Sequence, residues 1–265
     1  MAVFSKNAGG WMITNVVGSG ERGFAGDGGP ASAAMLNNPF DLAFNSVGDL
    51  FFADTHNHRV RRVDAASAVI CTVAGSGEAA FAGDDGPAIE ASLHEPYGLA
   101  FDKHDNLYIV DRLNNRIRRV AADTGIITTI AGSGEKSHSG DGGRALQAAL
   151  LEPNDIAFSR DGRLLYIADP SAHRVRAVDL RNNTIDTFAG SGEARDFGDG
   201  AAANLAGVWG ARAVTVAADG TVFIVQKNGS AVRAVDPVSG NISHVAGTGE
   251  YGYAGDGGAM AKAVF

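Results

Sequence analysis

The sequence predicts an all-β protein built from repeated four-stranded antiparallel sheets, and three observations carry that reading. A glycine-rich stretch is written five times, at Val16 (VVGSGERGFAGDGGP), Val73 (VAGSGEAAFAGDDGP), Ile130 (IAGSGEKSHSGDGGR), Phe188 (FAGSGEARDFGDGAA) and Val245 (VAGTGEYGYAGDGGA), with starts 57, 57, 58 and 57 residues apart. A fixed period of that size marks a solenoid, an array or a propeller. Each full period holds four short runs rich in Val, Ile, Phe and Tyr, the composition of strands. Between the first and second run sit Val47-Gly48-Asp49, Asp161-Gly162 and Asp219-Gly220, residues that tolerate the positive φ of a tight hairpin. Four-stranded sheets repeated in one chain stack radially about an axis, which is a β-propeller.

Each marker is followed by a small-residue segment ending in an apolar anchor: PASAAML to Leu36, PAIEASL to Leu93, RALQAAL to Leu150. The strands come next. In the first period they are FDLAF (40–44), DLFFAD (49–54), RVRRVD (59–64) and VICTVAG (69–75). The second repeats them as YGLAF, NLYIVD, RIRRVA and IITTIAG, and the third as NDIAF, LLYIAD, RVRAVD and TIDTFAG. The fourth, ARAVTV, TVFIVQ, AVRAVD and ISHVAG, diverges most. Residues 3–6 and 11–17 fall on the third- and fourth-strand columns, so the chain opens on half a unit, where Trp11 reads as packing; it stops at Phe265, on the Leu36 column. One domain over 1–265 is expected, with units 1–17 (the half blade), 18–75, 76–132, 133–190 and 191–247, and a partial connector 248–265. Such a chain is a four-bladed ring with extra terminal strands, a five-bladed ring with an incomplete closing blade, or a fragment of a larger ring. An open blade edge invites pairing with another chain, so a homodimer through the incomplete blade is one expected partnership.

Composition narrows the function classes. A net charge of −8 gives no global attraction for nucleic acid or an anionic membrane, and neither partner is expected. Cys71 is the only cysteine, which excludes a disulfide framework and a cysteine-based metal cluster. The opening MAVFSKNAGGW lacks a charged segment followed by an apolar run, and no stretch has the roughly 18 apolar residues of a membrane span. A soluble protein is expected, with the cytoplasm favoured.

The strings Ala74-Gly75-Ser76-Gly77, Phe24-Ala25-Gly26-Asp27-Gly28-Gly29-Pro30 and LYIVDRLNNRIRRV (107–120) resemble the NHL-repeat β-propellers, in the bacterial and plant form that carries AGxGxxGFxGDGGPA. Motif, order and period agree over almost the whole chain. The resemblance implies four strands per blade, commonly with six blades, for which this chain is too short. It does not fix a function, because the architecture hosts ligand scaffolds, RNA-binding domains, lactonases and lyases.

Columns that agree in every unit hold the unit together. Asp27, Asp84, Asp141, Asp199 and Asp256 read as turn carboxylates accepting nearby backbone N–H groups. Asp54, Asp111 and Asp169, with Arg61, Arg118, Arg176 and Arg233, read as ion pairs bracing the second hairpin. Columns that differ are free to make a site. They lie where the marker enters the first strand, at Asn37/His94/Leu151/Trp209, Asn38/Glu95/Glu152/Gly210, Phe40/Tyr97/Asn154/Arg212 and Asp41/Gly98/Asp155/Ala213. The loops between second and third strands add His56, His58, His173 and Lys227-Asn228. Mixed acids, imidazoles, an arginine and aromatics in a concave mouth suit a polar ligand. His104, His138 and His244 read as solvated or packed side chains.

The leading expectation is a binding or interaction module recognising a small polar molecule, a peptide or a protein segment at this mouth, through Asn38, Asp41, Tyr97, Asn154, Trp209, Arg212 and His173. The alternative is an enzyme, a hydrolase of the lactonase kind or a lyase. There Glu95, Glu152 and Asp155 would act as acid, base or metal ligands, His94 and His56 would support them near neutral pH, and Arg212 would bind an anionic group. Similarity to gluconolactonases and the peptide-amidating lyase implies a divalent metal in the channel, calcium or zinc, with Glu95, Glu152 and Asn38 as candidate ligands. No nucleophile elbow, phosphate loop with its lysine, HExxH or CxxC is present, so no spacing motif fixes the chemistry.

Overall fold

The computed structural model describes residues 2–7 and 10–265, and side chains from residue 12 onward. The chain opens with a hairpin of β1 (Ala2–Asn7) and β2 (Gly10–Asn15), the two strands expected of a half unit. The side chain of Trp11 lies outside the described residues. The first full sheet runs β3 (Pro39–Phe44), β4 (Leu50–Asp54), β5 (Arg59–Val63), β6 (Ile70–Ala74). A two-residue strand, β7 (Gly86–Pro87), precedes β8 (Pro96–Phe101), β9 (Leu107–Asp111), β10 (Arg116–Val120) and β11 (Ile126–Ala131), in the sheet order β7-β11-β10-β9-β8. The third sheet repeats this with β12 (Gly143–Arg144), β13 (Asp155–Phe158), β14 (Leu164–Asp169), β15 (Arg174–Asp179) and β16 (Thr184–Ala189). The fourth is β17 (Ala211–Val216), β18 (Val222–Gln226), β19 (Ala231–Val235), β20 (Ile242–Ala246). The expected strands are reproduced to within a residue or two at their ends. The fold class is the predicted one, an all-β propeller, here with four complete blades and half of another.

Local chemistry explains the elements. Gly48, Gly162 and Gly220 take φ of 90°, 69° and 95° in the first hairpin turns, and in the second sheet Asp105 does so at 60°, within the tolerance of a short polar side chain. The outer strands β7 and β12 were not legible in the pattern. They arise because the marker lies along the outer strand, with the Asp85 N–H donating to Ile127 at 2.8 Å and the Ala88 N–H to Gly125 at 2.9 Å. The small-residue segments form single 3-10 turns that bury their first alanine, Ala31, Ala145 and Ala203. Against them a Cβ on Gly83 would sit 2.6 Å from the Ala91 Cα, which is why a glycine and an alanine face each other in the repeat.

The chain divides into two compact units, residues 1–109 with 120–128, and residues 110–119 with 129–265. In the first, β3 lies against β8 over a core that includes Phe51, Val60, Leu93, Leu99, Ile109 and Ile127. In the second, β13 lies against β17 over Val175, Val208, Val214, Ile224 and Ile242. Among the described residues no helix is long and apolar enough to cross a membrane.

Candidate functional site

A layer of buried arginines sets the frame behind the mouth. The ladder between third and fourth strands shifts register at Val60/Arg61, Val175/Arg176 and Val232/Arg233, and a bulge of this kind re-aims the side chain that follows it. Arg61 is fully buried, with Nη1 3.2 Å from Asp54 and Nη2 2.7 Å from Asp27; Arg118 meets Asp111 at 3.2 Å. Arg176 pairs with Asp141 at 2.6 Å and Arg233 with Asp199 at 2.7 Å. Asp27 accepts the Thr72 N–H and hydroxyl, as a turn carboxylate is expected to, and adds to this the pairing with the third-strand guanidinium that the sequence reading did not assign to it. Removing one member of such a pair strands a buried charge, at about 3–5 kcal/mol.

A second arginine column explains GSG. Arg59 donates through Nη1 to the Asn57 carbonyl and through Nη2 to that of Ser76; Arg116 and Arg174 do the same. Each guanidinium lies flat on the second glycine of the motif, where a Cβ on Gly77 would fall 2.1 Å from the Arg59 Nη1. The glycines that look like a ligand loop are the floor for an arginine of their own blade.

The mouth residues are held by a recurring clamp. Asn38, Glu95, Glu152 and Gly210 all adopt left-handed backbone, at φ of 55°, 50°, 56° and 69°, an expensive conformation for a glutamate. What holds it is an N–H bond to a side chain of the preceding second-to-third-strand loop. The Glu95 N–H donates to His58 Nδ1 at 3.2 Å, that of Glu152 to Asn115 Oδ1 at 3.0 Å and that of Gly210 to His173 Nδ1 at 3.2 Å. Both imidazoles must then be neutral, with the proton on Nε2. Burial, joined by the charge of Arg174 at His173 and by His94 at His58, holds both below the ordinary histidine range.

The first-strand aspartates reach forward in the same way. Asp41 Oδ2 accepts the Leu99 N–H and Asp155 Oδ2 the Val214 N–H, at 2.8 and 2.9 Å. Burial pushes the Asp41 carboxyl up, against these backbone bonds. Asp155 also takes the Ile156 N–H on Oδ1, so both its oxygens carry structure. Tyr97 stacks on Phe40, ring centroids 3.9 Å apart, and His94 meets His58 edge to face. The Trp209 N–H is received by Gln226 Oε1 at 2.7 Å.

Two cavities gather the remaining candidates, one in each unit. In the first unit about 610 Å³ opens beside Asn38 and His56, whose amide and Nε2 are 3.3 Å apart. In the second unit about 370 Å³ is lined by Arg112, Glu152, Asn154, Pro170, Ser171, His173, Arg212, Lys227 and Asn228. Glu152 is bracketed there by Lys136 and by Arg112, the latter at 2.9 Å. The hydrogen bond from Lys136, and then the Arg112 charge, hold its carboxyl below the usual range. Asn154 is only 4% exposed, yet its carboxamide makes no hydrogen bond among the described residues. Gly210 clears the space: a Cβ there would fall 2.4 Å from Asn228 Oδ1, whereas the same column carries Asn or Glu in the other blades.

This donor set does not fit a divalent cation. The Glu152 oxygens are occupied by cations and those of Asp155 by backbone N–H groups, and among the described residues no three His, Cys, Asp or Glu side chains come together as a ligand group. Calcium would need six to eight converging oxygens.

Comparison with known proteins agrees with the repeat chemistry. The Teneurin NHL domain model matches residues 76–139. Protein SUPPRESSOR OF QUENCHING 1, chloroplastic, of Arabidopsis thaliana is 28% identical over 253 residues, 91% of this chain and 23% of its own length. NHL repeat-containing protein 2 of Bos taurus is 32% identical over 165 residues, 58% of this chain and 22% of its own. The chain thus spans less than a quarter of these relatives. Among solved structures, a Bacteroides thetaiotaomicron protein of unknown function superposes with TM-score 0.62 at 18% identity, covering 88% of this chain and 53% of that one. A gluconolactonase from Xanthomonas campestris gives 0.54 at 17%, covering 88% and 70%. Identities this low carry the fold alone. Fold and period define the class, a repeat-built β-propeller, and its repeats are similar to those of NHL-repeat proteins.

Proposed function

We propose that the protein is a binding module that takes a small polar ligand in the second unit's cavity, among Asn154, His173, Arg212 and Lys227. The observation that carries this is the Asn154 carboxamide, buried, lining the cavity and without a hydrogen bond among the described residues. Its amide atoms are not among the fully shielded polar atoms without a partner, so they open to the cavity, where they can donate to and accept from a ligand. The volume lies at the small end of ligand pockets. The lining comes from columns in which the blades differ, so occupancy is not demanded by the repeat itself.

Ligand-observed NMR against a panel of small polar compounds, including amides, polyols and carboxylates, tests this. Asn154→Leu keeps the side-chain volume and removes the polar head. The expected result is a set of hits on the wild type whose signals vanish with Asn154→Leu at unchanged thermal stability. Hits that persist in the variant, or no hits at all, would sink the proposal.

A further inference from the structure

The geometry points to a small oxyanion, a carboxylate or phosphate ester, as the ligand of the second unit's cavity; this rests on the ligand-binding reading above. Cations outnumber carboxylates on its walls. Arg112, Arg212 and Lys227 are cations, and the one carboxylate among the lining residues, Glu152, is already bracketed by Arg112 and Lys136. The Lys227 ammonium is exposed and makes no hydrogen bond or ion pair among the described residues. His173 spends Nδ1 on the Gly210 N–H, so its ring can offer only the Nε2 proton.

A surplus of cations selects an anionic ligand, and carboxylate and phosphate are the groups that guanidinium and ammonium bind most strongly. The protein as a whole carries a net charge of −8, so its overall field repels anions, and local cations at this cavity are a feature the composition does not supply. The Asn154 carboxamide, which can donate and accept, suits a hydroxyl or amide beside the anionic group. A volume of about 370 Å³ suits a small metabolite and leaves no room for a strand or helix of a partner.

Isothermal titration calorimetry on the full chain at low salt would use citrate, malate and inorganic phosphate as oxyanion probes, with glycerol and glucose as neutral controls. At least one oxyanion should bind at one site per chain, more weakly as NaCl is added. Its affinity should fall about tenfold or more in Lys227→Gln and in Arg212→Gln, the scale of one charge-assisted hydrogen bond. Lys227 is a surface residue, so its variant folds if the wild type does, and a melting curve checks both. The carboxylate and phosphate arms separate the two sources of the shared chemistry. Neutral probes binding in an Asn154-dependent way while no oxyanion binds would overturn this inference and leave the binding function standing. No Asn154-dependent binding by any probe would overturn both. Oxyanion affinity unchanged in both charge variants would overturn the inference alone.

Discussion

Single side chains in this protein are best understood by comparing one blade with the next. His138 occupies the column held by Phe24 and Phe81 in the first two markers, and its Nδ1 lies 3.2 Å from Arg176 Nη1. Burial, and then the charges of Arg176 and Arg174, push the imidazole down from the ordinary 6.5 to about 4. A depressed pKa means that the unfolded chain takes up the proton first. The stability contributed is therefore complete above 6.5 and is lost as pH falls towards 4, following proton linkage. Urea unfolding at a series of pH values should show the wild type losing more stability than His138→Phe across that window. Phe24 already shows that an aromatic ring fits there, with the Arg59 guanidinium 3.9 Å from its centroid. Parallel pH profiles would show that His138 stays solvated and titrates normally.

At the scale of elements, the fourth blade shows how a unit diverges without losing its ion pair. The second-strand carboxylate, Asp54 and Asp111 in earlier blades, is Gln226 here, and a new one, Asp196, stands in the Phe24 column. Gln226 Nε2 donates to Asp196 Oδ2 at 3.1 Å, and Asp196 lies 3.9 Å from Arg233. The negative charge has moved from a strand end to the marker loop. Gln226→Asp alone would crowd two carboxylates, and Asp196→Phe alone would leave Arg233 with Asp199 only. Each single variant should lose about 1–3 kcal/mol and the double should recover much of it, a coupling of the size seen for side chains in contact. Additive losses in a double-mutant cycle would dispose of this account. Strands and blades were legible because the period repeats and hydrophobic runs are local signals. The sequence marked the mouth only as a set of columns where blades disagree, Asn38, Glu95, Glu152 and Gly210 among them. The roles were not legible. Asp41 read as a ligand-binding group and Asp155 as an acid, base or metal ligand, because which backbone N–H of the following sheet each one meets is decided by tertiary packing.

For the molecule as a whole, the repeat supplies its own reference for what should be covered. Leu99, Ile156 and Val214 are 5%, 4% and 5% exposed, while Leu42 in the same column is 45% exposed, and Phe44 on the same face of β3 is exposed with it. Leu42→Ser should change the melting temperature little, since little apolar area leaves or enters water. Ile156→Ser should be strongly destabilising, by roughly 2–5 kcal/mol. Comparable losses from both would mean that Leu42 is covered in solution. One further consequence follows from the left-handed residues at the mouth. Their structural duty is discharged by the main-chain N–H, held by His58, Asn115 or His173 of the loop before. At Glu95, Glu152 and Gly210 the same main-chain bond is made under different side chains, so the clamp can be kept while the group presented to the cavity is exchanged, among residues that tolerate left-handed backbone and the space left to them.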